Sequence, residues 1–187
     1  MRRGFASVAL LFAMFAAGCP REAAPPESLA RDLASWMHKV KEWEPQEKQI
    51  FGAISEVTKS QYVKDDFVAR TLKDTLPIVR EHLRKTADYQ PETSELEPVV
   101  RQYRQGWKDM ELAFHAIIAA AEAKDYIQLA KAKNQMEFAR GEVLGAYASF
   151  DELLELNDVQ LRALREREER EGGAPPPGQT PAAETAS

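Results

Sequence analysis

The chain has 187 residues, 25 Lys and Arg against 30 Asp and Glu, and a formal net charge of −5. An acidic chain offers no electrostatic footprint for nucleic acid or anionic lipid headgroups, and its single cysteine, Cys19, excludes an internal disulfide framework. About 145 residues lie between Pro- and Ala-rich ends, the usual size of one domain with one core.

The first element is the apolar run Val8 to Cys19, VALLFAMFAAGC, preceded by Arg2 and Arg3. It is too short to span a bilayer as a stable helix and ends in small residues, which is the layout of an export signal. The ending Ala16-Ala17-Gly18-Cys19 resembles the lipobox of bacterial lipoproteins, although Ala16 stands where that pattern favours Leu. The resemblance implies removal of residues 1–18, diacylglycerol on the Cys19 sulfur and an acyl chain on its new amine. It also implies a place in the cell envelope. Pro20, where some bacteria read a sorting aspartate, points to the outer membrane facing the periplasm. Two or more lipid chains give stable anchoring where one is marginal. Plain secretion is the alternative, but it leaves a lone exported cysteine unexplained. No cofactor is expected beyond this covalent lipid. Residues 19–27 then form a spacer too rich in proline and charge to build a core.

A helical domain is expected over residues 28–171. Ser28 is a candidate N-cap for a first helix whose apolar seam is Leu29, Leu33, Trp36, Val40, Trp43, Ile50, Ile54 and Val57. Pro45 removes a hydrogen bond within that run, so one kinked helix is expected, with two shorter ones as the alternative. Glu47 falls where the seam wants an apolar side chain. It is either a buried carboxylate with a shifted pKa or, the expected outcome, turned by the kink toward solvent or an arginine.

The second helix should start between Ser60 and Asp65 and run to about Asp88, with the stripe Val68, Leu72, Leu76, Val79 and Leu83. Ser94-Glu95-Leu96-Glu97 reads as a capping box, and Pro98 sits in the first turn of a third helix. Its stripe is Leu96, Val100, Tyr103, Trp107, Met110, Phe114, Ile117 and Ala121. Asp125 with Gln128 is a second capped start. A fourth helix, Tyr126 to about Arg170, should be the longest, with Leu129, Ala132, Met136, Val143, Ala146, Tyr147, Phe150, Leu154, Leu161 and Leu164 inside. Gly172 and Gly173 end it, and residues 172–187 form a low-hydrophobicity tail expected to be disordered. Four helices with short connections make an all-α, up-down-up-down four-helix bundle with an overlong, charged C-terminal helix.

Bundles hold metals and cofactors, so the motifs matter. None of His38, His82 or His115 follows a glutamate by three residues, as a carboxylate-bridged di-iron site requires, and no C-x-x-C-H, H-E-x-x-H or G-x-S-x-G is present. An enzyme is not expected. Glu111 and His115, one turn apart, are a weak two-ligand metal candidate; the expected role is a boundary histidine bonded to a glutamate. Phe138, Gly141, Leu144, Gly145 and Ala148 form a second, partly small strip on the fourth helix. A tryptophan from inside the bundle is expected to fill it, with a groove for a partner helix as the functional alternative. The three tryptophans themselves should be core.

The expected function is therefore a membrane-anchored, non-catalytic interaction or scaffold module with an envelope protein as partner. A small-ligand or metal-binding sensor bundle is the rival. An exposed patch on the fourth helix favours the first. A dry pocket lined by Trp43, Tyr103 and Tyr147, with His115 pointing inward, favours the second.

Overall fold

The computed structural model describes residues 26–59 and 64–172. The signal-like run, Cys19, most of the spacer and the C-terminal tail lie outside the described residues. Among the described residues every regular element is helical, in the order α1 (Pro26–Thr58), α2 (Asp65–Ala87), α3 (Glu97–Ala123), α4 (Tyr126–Leu156) and α5 (Asp158–Gly172). None of these helices is long and apolar enough to cross a membrane.

α1 begins two residues before the expected cap, so Ser28 lies inside it, and Pro26 takes the first turn, where a missing N–H costs nothing. It runs unbroken through Pro45, as α2 does through Pro77. The seam of α1 is buried as expected except at Val40, which is half-buried, and Leu33, Ile50 and Val57 are fully enclosed. In α2 the expected Val68, Leu72, Leu76 and Val79 are buried together with Ala69, Thr75, His82 and Thr86, and one line of buried positions runs through Val68, Leu72, Thr75, Val79, His82 and Thr86. These keep the alternating four-three step that an apolar-only reading, which placed Leu83 inside, could not follow through its polar members.

The turn before α4 forms as the sequence implies. Lys124 is left-handed at φ 54°, Asp125 N–H bonds to Ala120 O at 2.9 Å, and the Asp125 side chain accepts from Gln128 N–H at 3.0 Å. The capping box before α3 does not form. Leu96 is the N-cap with no side-chain bond, and Ser94 Oγ donates to Glu95 instead. The loop's amides are satisfied from another helix. Asp32 of α1, 3% exposed, accepts from Glu92 N–H and Thr93 N–H, both at 2.9 Å, from Thr93 Oγ1 at 2.7 Å and from Tyr89 OH at 2.7 Å. Arg104 of α3 closes the other side by donating to Thr86 O and Tyr89 O. A buried carboxylate is tolerable only with donors of this number.

The expected single helix from Tyr126 to Arg170 is two helices. At Asn157 the backbone leaves helical geometry, its N–H returns to Leu154 O at 3.2 Å, and its side chain donates to Leu153 O at 2.8 Å. An asparagine that competes for the helix's own carbonyls ends it. α5 then lies along the start of α1, with Leu161 buried and Arg167 Nη1 2.9 Å from Glu27 Oε1.

α3 and α4 have the most extensive contact of any pair. Gly106 is the reason they come so close: a Cβ there would stand 2.9 Å from Val143 N and 3.1 Å from Ala139 O.

Candidate functional site

Every one of α1 to α4 contributes one polar side chain to a chain of hydrogen bonds in the core. Glu47 of α1 is 6% exposed, so the expectation that Pro45 turns it outward is wrong. The unbroken helix keeps Glu47 in phase with Trp43 and Ile50, and phenols supply what an arginine was expected to. Tyr103 of α3 donates its hydroxyl proton to Glu47 Oε1, and Tyr147 of α4 donates to the same carboxylate at 2.6 and 2.7 Å. His82 of α2, fully buried, places Nε2 2.8 Å from the Tyr103 oxygen.

This geometry fixes the tautomer. Tyr103 has one proton and gives it to Glu47, so His82 donates Nε2–H to the Tyr103 oxygen, and Nδ1 is the bare nitrogen. Nδ1 has no partner among the described residues, which costs less for a bare lone pair than for an N–H. Burial pushes the His82 pKa down to about 4, with Lys85 adding to the shift. Burial pushes the Glu47 carboxyl up, while the two phenols hold it back. Both phenols are raised well above their ordinary value, by burial first and by the Glu47 charge.

Rings fill the space around this chain. Trp36 meets Trp43 edge-on at 5.4 Å and Tyr103 at 5.4 Å, and His82 stands against Trp107 with centroids 4.5 Å apart. The three tryptophans are core, as expected. Tyr103 stacks on Trp43 with centroids 6.1 Å apart and meets Tyr147 edge-on at 5.8 Å.

Glu111 and His115 lie at the edge of the bundle as expected, but they are not hydrogen-bonded to each other. Neither residue points into the core, and His115 Nε2 is 3.9 Å from Glu111 Oε1. Arg80 of α2 lies between them, donating to Glu111 Oε1 at 2.7 Å and to His115 Nε2 at 2.9 Å. A guanidinium thus holds the place a metal cation would take. Among the described residues no group of three or more His, Cys, Asp and Glu could hold a metal ion.

The strip on α4 corrects a second expectation. No tryptophan covers it. Phe138 is 67% and Leu144 49% exposed, Gly141 and Ala148 face solvent, and only Gly145 is partly covered, by Gln102. The core of α4 is Leu129, Ala132, Met136, Ala139, Val143, Ala146 and Phe150, on the opposite side of the helix. The outer side of α4 therefore carries exposed apolar residues as well, interspersed with the exposed Asn134, Glu137 and Glu152. Ile127 and Leu156, each 72% exposed, continue the outer face toward its two ends. Between α3 and α4 a shallow groove of about 370 Å³ is lined by Leu112, Ala113, Gln135 and Phe138.

Sequence reasoning missed His82, Asp32, Arg104 and Gly106. The signal for His82 was its place in the four-three step of α2. For the others the partner lies on another helix. Comparison with protein-family models, curated proteins and solved structures gave no match to this chain.

Proposed function

We propose that this protein is a membrane-anchored bacterial lipoprotein that acts by interaction, not catalysis, in the cell envelope. Its shape on this reading is an up-down-up-down bundle of α1 to α4 lengthened by α5. Supporting that topology, Glu47 meets Tyr147 while Glu27, twenty residues earlier, meets Arg167, twenty residues later. The lipobox-like ending at Cys19 supports the anchor.

The observation that carries the interaction reading is the outer face of α4. Ile127, Phe138, Leu144 and Leu156 are exposed at intervals along this one helix, and large apolar side chains held in water support its reading as a docking surface. The rival reading, a ligand or metal sensor, needs a pocket among Trp43, Tyr103 and Tyr147 and an inward His115. Both phenols are bonded to Glu47, Trp43 stacks on Tyr103, and His115 bonds to Arg80 at the surface.

A photo-crosslinking residue at Leu144 in the native envelope tests the reading. A reproducible adduct with an envelope protein, lost when Phe138→Asp is added to a chain whose helical circular dichroism is unchanged, is the expected result. An adduct pattern indifferent to Phe138 would remove the outer face from the function.

A further inference from the structure

We infer that the outer face of α4 is occupied by a second copy of this chain, with the two α4 helices antiparallel about a twofold axis near residue 143. The inference rests on the reading of that face as a docking surface and names its occupant.

The face is complementary to itself. A twofold axis at residue 143 sets Phe138 opposite Ala148, Gly141 opposite Gly145, and Asn134 opposite Glu152. Each pairing is favourable: a ring over a methyl, two positions without side chains, and an amide beside a carboxylate. Gly141 leaves open space, since a Cβ there would meet nothing within 4 Å, so a second helix can approach closely at the axis. An interface of this kind is isologous, the commonest form of association between identical chains.

Charge decides the direction. Lys131 and Lys133 lie near the start of α4, and Asp151, Glu152 and Glu155 near its end. None of the five has an ion-pair partner among the described residues, whereas Glu137 and Arg140 between them pair with each other at 3.5 Å. Antiparallel packing brings the unpaired lysines of one copy onto the unpaired carboxylates of the other at both ends. Parallel packing would oppose like charges.

Zero-length carbodiimide coupling of the full-length lipoprotein, in detergent at increasing concentration, reads this arrangement directly. Amides joining Lys131 or Lys133 to Asp151, Glu152 or Glu155 are expected on peptide mapping. Even the nearest such pair within one chain, Lys133 and Asp151, is about 27 Å apart along α4, so the amide must join two chains. Phe138→Asp should weaken the dimer at least tenfold by sedimentation with its helical content intact. A chain that stays monomeric, or that couples only in other registers, overturns the inference. If it stays monomeric but the probe at Leu144 still captures a different envelope protein, the self-association fails and the docking surface stands; if neither occurs, both fail.

Discussion

At the scale of single residues, His82 and Glu47 place opposing pH dependences in one hydrogen-bonded chain. His82 is held neutral, with its pKa lowered to about 4 from an ordinary 6.5. As pH falls below the ordinary value the unfolded chain takes up a proton that the fold refuses, so stability is lost progressively down to about pH 4. Glu47 is shifted the other way: its raised pKa costs stability at neutral pH, and the cost fades as acid protonates it in the fold. His82→Gln keeps a donor for Tyr103 but does not titrate. Denaturant melts at pH 7 and pH 4 should therefore show the wild type losing up to about 3 kcal/mol relative to His82→Gln. An equal loss in both proteins would show that His82 is not held neutral. At pH 7, Glu47→Gln should cost only about 1 kcal/mol, since it keeps an acceptor and sheds a buried charge. Glu47→Ala should cost about 3 kcal/mol or more, because it strands two phenols beside a cavity. Equal effects of the two substitutions would count against the hydrogen-bond chain.

At the scale of elements, two glycines on facing helices answer to different surroundings. Gly106 sits where α3 touches the backbone of α4, so Gly106→Ala should force the helices apart and cost about 1–3 kcal/mol. Within one chain Gly141 faces open space, and at concentrations where the chain is monomeric Gly141→Ala should stabilise α4 by about 0.5–1 kcal/mol through helix propensity alone. Thermal melts of the two variants should move in opposite directions. The helices themselves were largely legible. The seams of α1 and α3 and the Asp125 cap depend on near neighbours in sequence, and they form as the spacing implies. The failures share a cause. The capping box at Ser94 does not form: Glu97 N–H goes to Thr93 O, and the loop's earlier amides are held by Asp32, about 60 residues away in sequence. The break at Asn157 lies in a run whose charge pairing favours continuous helix, until one side chain diverts the terminal carbonyls.

At the scale of the whole molecule, the candidate sites changed more than the fold. Glu47 was expected outside and lies inside, while the α4 strip was expected to be covered and lies outside. Both errors come from the same limitation: a stripe on one helix shows which positions are apolar, not which neighbour faces them. Anchoring belongs to this scale as well. On the lipoprotein reading, Cys19→Ala should move the protein from the membrane fraction to the soluble fraction without changing its helical circular dichroism. Retention in the membrane fraction would remove the lipid from the account.

The sequence by itself determined the helical class, the starts of α2 and α4, most of the helix seams and the aromatic core, because these follow from spacing and from bonds made within a few residues. Tertiary structure alone decided the polar chain from His82 through Tyr103 to Glu47 and Tyr147, the Asp32 staple, and which face of α4 meets water. Each of those depends on what another helix presents at the point of contact. A buried carboxylate or histidine is stable only where such partners converge on it.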